Sequence, residues 1–262
     1  HGFGGMRVQS FGLTSHLASR GYVVVAPDHP GRMLSDVLPC LFSPTLDGCD
    51  LSGFGNDPAI DDLNAALDWL EDAATQDQWR DLIDLDRVGL LGHSAGGNST
   101  TTLGDDEDRF NALAPMAGGG AVRRDVPVLR VDASCDGFVS SAEEDVLDSM
   151  TDGRFVQIHG SGHLAFTNLC ELELGGLADE IIGSRDDANT ALLPQLRKLA
   201  VDGCPGETPL VSSPECEEDF LPLDVSNEIV RFHLTQFFDQ KLRGQPTAEL
   251  ENPYIEASMW SK

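Results

Sequence analysis

The chain has 262 residues, of which 40% are hydrophobic, so it is long enough to enclose a core of ordinary size. Its 44 acidic and 17 basic residues give a formal net charge of −27, which repels phosphate backbones and anionic membranes and argues against nucleic acid as a partner. No apolar run approaches the roughly 18 residues of a membrane-spanning helix, so we expect no membrane span.

The first part of the chain predicts one helix, one strand, a long connection and a second helix. Residues 11–20 have helical spacing and end at a glycine. The run "YVVVAPD" at 22–28 is continuously apolar, which is typical of a strand buried on both faces of a sheet. Residues 29–56 are rich in Gly, Pro, Ser and Asp and indicate a surface excursion. A helix is then predicted from Asp57-Pro58 to about Asp72.

The middle of the chain alternates strands with helices. A helix is expected directly after the second predicted strand, and another from about Ser141 to Met150. This alternation predicts an α/β domain, with a mostly parallel central sheet and helices on both faces. The strands that follow the run at 22–28 are predicted at 87–92, 110–117, 126–133 and 154–160.

The last third of the chain breaks this rhythm. Residues 164–222 mix Gly, Asp, Pro and Cys with short helical stretches, so we expect an insertion or lid within a single domain spanning residues 1–262. An amphipathic helix is predicted from about Asp224 to Leu242, and the tail after Gly244 is expected to be loosely held. We take a monomer as the default oligomeric state.

The six cysteines form an even set, and two pairs lie close together in loop-like sequence. This favours local disulfides over six free thiols, and no spacing fits a zinc site. A secreted or periplasmic location follows if the disulfides form. The expected pairs are Cys40–Cys49, Cys204–Cys216 and Cys135–Cys170.

One short motif suggests chemistry. "GHSAGG" at 92–97 follows a predicted strand and fits the pattern G-x-S-x-G, which places a serine on a tight strand-to-helix turn with its hydroxyl exposed. Ser94 is therefore our candidate nucleophile. His93, inside the motif, is expected to pack beneath the turn.

A serine hydroxyl needs a base to take its proton, and the base needs a carboxylate to fix its tautomer. Asp136 and His163 each follow a later predicted strand, in the order serine, acid, base, so we assign them these roles. Asp132 and His159 are the rivals, although both fall at the ends of the strands rather than in the loops. His16, His29 and His233 are assigned no chemistry.

Backbone N–H groups must also stabilise the oxyanion that forms when a serine attacks a carbonyl. We expect the Ala95 N–H, directly after the nucleophile, to be one donor. The glycine-rich "HGFGG" at 1–5 supplies the other, from the Phe3 N–H. The side chains of Phe3 and Met116 are expected to line an acyl pocket or to belong to the core.

Together these motifs resemble the α/β-hydrolase superfamily, and the similarity runs from "HGFGG" to the last helix. "HLASRGYVVVAPDHPG", "GHSAGG" and "GSGHLAF" are similar to dienelactone-hydrolase-like, platelet-activating-factor-acetylhydrolase-like and cutinase-like polyester hydrolases. The resemblance implies an α/β-hydrolase fold, whose strands before "HGFGG" are missing here. It also implies serine-dependent hydrolysis of a small neutral or apolar ester without a cofactor or metal.

Three alternatives stay open within this resemblance. An amidase or peptidase of the same fold would use the same three residues. A polyester hydrolase usually carries a tryptophan where this chain has "MAGGGAV". A non-catalytic binding domain usually lacks one of the three residues, and all three are present here.

Overall fold

The computed structural model describes residues 1–37, 59–139, 144–150, 152–169, 220–248 and 252–261. These residues form a five-stranded sheet in the order β1-β2-β3-β4-β5. The first four strands are parallel, and β5 runs antiparallel to β4. The strands are β1 (Gly89–His93), β2 (Ala112–Met116), β3 (Pro127–Ala133), β4 (Asp152–Ile158) and β5 (Ile255–Ser261).

The helices agree with the predicted ones within a few residues. The last helix ends where Gly244 adopts a left-handed conformation with φ 66°, which a glycine adopts without steric cost. Among the helices that the described residues form, none has the length and apolar character of a membrane-spanning segment. They are α1 (Phe11–Ser19), α2 (Ala59–Ala74), α3 (Ala95–Asp106), α4 (Glu144–Asp148), a short 3₁₀ helix (His163–Phe166) and α5 (Leu223–Arg243).

Apolar clusters cover both faces of the sheet. Helices α1 and α5 pack on one face, where Leu13 and Leu234 meet Ala114 of β2. Helices α2, α3 and α4 pack on the other face, around Leu113. Side chains of neighbouring strand residues point to opposite faces, so Leu113 and Ala114 belong to different clusters. The predicted parallel sheet with helices on both faces is confirmed.

The predicted buried strand at 22–28 is wrong. These residues form no strand and pair with none of the described strands, and Val23 and Val25 are 50% and 39% exposed. Only Tyr22 and Val24 pack against the core. An apolar run becomes a buried strand only when a neighbouring strand pairs with it. Here residues 22–27 instead line a cavity of about 760 Å³ together with β1, the edge strand of the described sheet. The run therefore keeps one face exposed.

The prediction of a loosely held tail is also wrong. Residues 255–261 form β5, which pairs with β4 along its full length, from Ile255 opposite Ile158 to Ser261 opposite Asp152. Lys241 near the end of α5 bonds to Asp152 at the start of β4, whereas the Tyr254 carbonyl accepts the N–H of His159 at the other end of β4. β5 therefore begins at the carboxyl end of β4 and runs antiparallel to it. The sequence indicates this strand by a weak alternation, in which Ile255, Ala257 and Met259 are separated by polar or larger residues.

Several predictions fall wholly or partly outside the described residues. They include the excursion at 29–56, the insertion at 164–222 and five of the six cysteines. Cys135 is disulfide-bonded, and its partner lies outside the described residues. The pairing of Cys135 with Cys170 stays a prediction.

Candidate active site

Ser94 lies on a strained turn between β1 and α3. It has φ 58° and ψ −121°, a conformation that costs a non-glycine residue about 1–3 kcal/mol. The Ser94 N–H donates to the carbonyl of Met116 at 2.9 Å, which ties the turn to the end of β2. Helix α3 begins at the next residue. The turn therefore holds the hydroxyl beyond the carboxyl ends of the strands.

Glycines make this turn possible because neighbouring backbone leaves no room for side chains. A Cβ on Gly92 would collide with the carbonyl of Gly96 across the turn. A Cβ on Gly96 would lie 2.8 Å from the carbonyl oxygen of His1, and one on Gly118 would collide with the Ser94 carbonyl. Gly92 is thus required by the turn itself, whereas Gly96 and Gly118 are required because other segments pack closely against the turn.

The structure brings Ser94, His163 and Asp136 into one hydrogen-bonded chain. The Ser94 hydroxyl donates to His163 Nε2 at 2.9 Å, and His163 Nδ1–H donates to Asp136 Oδ2 at 2.8 Å. The side chains of His163 and Asp136 are 7% and 2% exposed. Asp136 Oδ1 accepts the N–H groups of Phe138 and Val139, both at 2.8 Å. Each carboxylate oxygen therefore has its own partners.

The loops that carry the acid and the base are bonded to each other. Ser134 N–H donates to the carbonyl of Ile158 at 3.0 Å, and Cys135 N–H donates to that of Ser161 at 2.9 Å. Gly160 N–H donates back to the Ser134 hydroxyl at 2.9 Å. Because these bonds join the ends of two adjacent parallel strands, the loops hold the carboxylate and the imidazole in a fixed relation.

The rival acid and base lie elsewhere. Asp132 is a buried residue of β3 whose Oδ1 accepts from Arg130 Nε at 2.5 Å, and both side chains are at most 3% exposed. His159 is 46% exposed at its side chain and faces Glu256 of β5 at 3.7 Å. Neither residue takes part in the hydrogen-bonded chain to Ser94.

The two segments that carry the predicted oxyanion donors lie beside Ser94. A Cβ on Gly2 would lie 3.0 Å from Ser94 Cβ, so the loop at 1–5 passes directly beside the turn, with the partly exposed Phe3 next in the chain. Gly4 N–H donates to the Arg32 carbonyl at 2.8 Å, which anchors this loop. The Ala95 N–H stands at the start of α3 with no hydrogen-bond partner in the described part of the chain.

Met116 lies in the core, which is one of the two positions that the sequence left open. Its side chain is 1% exposed within the cluster beneath α5. Only its backbone reaches the site, through the hydrogen bond from Ser94 N–H.

The other histidines serve packing and anchoring. His93 is buried beneath the turn, as predicted, with its ring 4.7 Å from that of His163. His29 Nδ1–H donates to Asp62 at 3.0 Å, and burial lowers the pKa of His29 to about 3. His16 of α1 bonds to Thr235 of α5 at 3.1 Å.

Sequence reasoning missed two side chains near His163. The Phe138 ring lies 4.8 Å from the His163 ring and is 38% exposed, so it forms an apolar wall at the edge of the site. Gln9 is buried beside His93, with its Nε2 at 3.3 Å from His93 Nδ1. Only the position of Phe138, two residues after the assigned acid, could have indicated its role.

Comparison with known proteins agrees with this architecture. A family described as having the alpha/beta hydrolase fold matches residues 1–121. Cutinase est1 of Thermobifida alba is 30% identical over 174 residues, which are 63% of this chain and 51% of that protein. The chain thus spans about half the length of the curated relative it matches.

A solved structure extends the likeness over almost the whole chain. A ferulic acid esterase from Streptomyces cinnamoneus superposes with a TM-score of 0.58 at 20% identity, covering 98% of this chain and 71% of that one. At this identity the likeness concerns the fold alone. The chain therefore has the α/β-hydrolase fold, and the family match covers the motifs "HGFGG" and "GHSAGG".

Proposed function

We propose that this chain is a serine hydrolase that cleaves carboxylic esters through an acyl-enzyme on Ser94. The single observation that carries the proposal is the chain of two short hydrogen bonds from Asp136 through His163 to Ser94, on a strained turn. This arrangement matches in geometry the nucleophile, base and orienting acid that such hydrolysis needs.

In the first half-reaction, Ser94 Oγ attacks the ester carbonyl carbon while its proton passes to His163 Nε2. The carbonyl oxygen becomes an oxyanion, for which the Ala95 and Phe3 N–H groups are the proposed donors. When the intermediate collapses, the bond to the alcohol oxygen breaks and His163 returns the proton to the leaving alkoxide. Asp136 stabilises the imidazolium throughout without taking its proton.

In the second half-reaction, a water molecule attacks the acyl carbon and gives its proton to His163 Nε2. The bond between that carbon and Ser94 Oγ then breaks, and Ser94 recovers the proton as the carboxylic acid leaves. The protein thus returns to its starting state with one ester bond exchanged for an acid and an alcohol, and no further reactant than water is needed.

The substrate class follows from the site and from the relatives. The partly exposed Phe138 ring beside His163 presents an apolar surface, and the net charge of −27 disfavours anionic substrates. A cutinase and a ferulic acid esterase are both named for ester substrates. We therefore propose small neutral or apolar esters, with polymeric esters as the second candidate because of the similarity to a cutinase.

The disulfide at Cys135 supports a further part of the proposal, which is secretion to an oxidising compartment. Titration of thiols on the unfolded, unreduced protein tests it. We expect no free thiol, as the three proposed pairs require. Six free thiols would contradict it.

A fluorophosphonate probe tests the proposed reaction, because it forms a covalent bond only with an activated serine. We expect labelling of the unaltered chain at the peptide containing Ser94, and none in Ser94→Ala. Ser15→Ala, on the exposed side of α1, is the matched control and should label normally. An unlabelled wild-type protein, or a label elsewhere, would contradict the proposal.

Comparing p-nitrophenyl esters with the matching p-nitroanilides separates the esterase from an amidase. The ester carries the better leaving group, so some preference is expected of either enzyme. We expect turnover of the esters and no detectable turnover of the anilides. Comparable rates on both would favour the amidase or peptidase.

A further inference from the structure

Two buried polar side chains beside the active site have no part in the proposed reaction. Gln9 and His93 are each 4% exposed, and their contact joins parts of the chain that are 84 residues apart. The His93 ring lies 4.7 Å from the His163 ring and 5.7 Å from that of Phe166. Buried polar groups are costly unless they are hydrogen-bonded, so their partners indicate what they do.

The partner of His93 Nε2 is the backbone of the proposed base. Nε2 lies 2.8 Å from the carbonyl oxygen of His163. A carbonyl can only accept, so the proton of His93 must be on Nε2. His93 directly precedes the nucleophile Ser94 in the chain. Its side chain thus connects the serine turn to the main chain of His163, the proposed base.

Gln9 fixes that proton in place. Burial lowers the pKa of His93 well below its ordinary value, and the nearby His163 ring acts in the same direction. The ring is therefore neutral, and with its proton on Nε2 the Nδ1 atom has a lone pair. The Gln9 amide donates to this lone pair at 3.3 Å, which disfavours the tautomer that could not hold the His163 carbonyl.

The backbone around Gln9 holds the segment after His163 from the other side. The Gln9 carbonyl accepts the N–H of Asn168 at 2.6 Å, and Asn168 Oδ1 accepts that of Gly12 at 2.8 Å. The Ser10 hydroxyl donates to the Phe166 carbonyl at 3.0 Å. Residues 163–168 are thus bonded both to the serine turn and to the start of α1.

Gln9 also packs against the loop that carries the proposed oxyanion donor. A Cβ on Gly5 would collide with Gln9 Oε1, so the amide lies directly on the backbone of this loop. Gly5 N–H in turn donates to the Gly2 carbonyl at 3.1 Å, beside Ser94. One buried side chain therefore touches the oxyanion loop and, through His93, the base.

We propose that Gln9 and His93 are positioning residues, which set the distance between His163 and Ser94 through the bond from His93 to the His163 carbonyl. The proposal rests on the proposed function, since it assigns these residues a task in the same reaction. Neither residue touches the substrate. Their loss should reduce the rate of the chemical step and leave substrate binding nearly unchanged.

Three variants test this positioning. His93→Phe keeps the ring but removes the donor to His163, and a displacement of about 1 Å can cost about 100-fold in rate. His93→Gln should restore most of the activity, because its amide nitrogen can occupy the position of Nε2. Gln9→Leu removes the donor to Nδ1 and should cause a smaller loss in the same direction. His16→Phe, on α1, is the matched control, because the His16 side chain has no hydrogen-bond partner other than Thr235 in the described structure.

The assays are the rate of fluorophosphonate labelling and kcat and KM for p-nitrophenyl butyrate, each per folded molecule, with folding checked by circular dichroism. We expect kcat and the labelling rate to fall in His93→Phe with little change in KM, and to recover in His93→Gln. If His93→Phe does not fold, the same split in Gln9→Leu decides.

The outcomes separate the two proposals. A labelled wild-type protein with His93→Phe or Gln9→Leu reacting at the wild-type rate would overturn the positioning alone. A rise in KM with unchanged kcat, or no recovery in His93→Gln, would also overturn it. A wild-type protein that is never labelled would overturn the proposed function, and the positioning with it.

Discussion

Replacing Asp136 with asparagine tests the role of the acid with almost no change in shape. The asparagine oxygen can still accept the N–H groups of Phe138 and Val139, which now bond to Oδ1 at 2.8 Å. Its amide group then faces His163 Nδ1 in place of Oδ2. Because an amide N–H donates, Nδ1 must accept, and the imidazole proton moves to Nε2.

With a proton on Nε2, His163 can no longer accept the proton of Ser94. Loss of the correct tautomer at an equivalent position of another serine hydrolase lowers kcat by about 10⁴-fold, which corresponds to about 5 kcal/mol in the activation barrier. Asp136 bonds only through these three contacts in the described structure. We therefore expect a loss of this size in kcat, with a much smaller change in stability.

The assay is turnover of p-nitrophenyl butyrate, expressed per folded molecule. Asp132→Asn is the control, because it replaces the rival acid on β3 and leaves the tautomer of His163 unchanged. It is expected to destabilise the protein, since Arg130 would be buried beside a neutral partner. If Asp136→Asn kept its turnover while folded Asp132→Asn lost it, the assignment of the acid would be refuted.

Two further predictions concern the serine turn and the pH dependence of stability. Gly118→Ala should lower kcat by about 100-fold, because the new Cβ would collide with the Ser94 backbone. Gly120→Ala is the control, since a Cβ there has open space and kcat should equal that of the wild type. Equal kcat values in the two variants would contradict this. Burial, aided by the charge of Arg154, lowers the pKa of His233 from 6.5 to about 4, so the folded state binds this proton less readily than the unfolded state does. Stability should therefore fall as the pH drops from about 6.5 to 4, by up to about 3 kcal/mol from this group. In urea unfolding at pH 7 and pH 4.5, His233→Phe should lose less stability than the wild type, and an equal loss would contradict the prediction.

Much of the fold could be predicted because parallel strands with both faces buried are short apolar runs. β2 is buried at every residue, and the sequence places it within 110–117. The site followed from the same pattern, since catalytic groups of a parallel sheet collect where strands end. Ser94, Asp136 and His163 come directly or within a few residues after β1, β3 and β4.

The same pattern misled at residues 22–28, because an apolar run indicates a strand but not its neighbour. The run around Val23 and Val25 is as apolar as a buried strand, yet it pairs with no described strand. β5 was missed for the opposite reason, as its weak alternation follows a loop-like stretch. In both cases the outcome depends on pairing with a distant segment, which local sequence does not encode.

The contact between Gln9 and His93 shows a similar limit within the site. Both residues are ordinary in their local sequence, and only the fold brings the amide to the imidazole. Gly92 behaves differently, because a Cβ there would collide with Gly96 within the same turn. The motif around Ser94 could therefore be recognised from local sequence.

Trapping the covalent intermediate tests the central claim most directly. Turnover of p-nitrophenyl butyrate is quenched with acid at short times, and the protein is digested and examined by mass spectrometry. The account predicts one butyryl group per molecule, on Ser94, which builds up and then decays as substrate is consumed. A protein that turns over the ester with no acyl group at any time, or with the group on another residue, would contradict it.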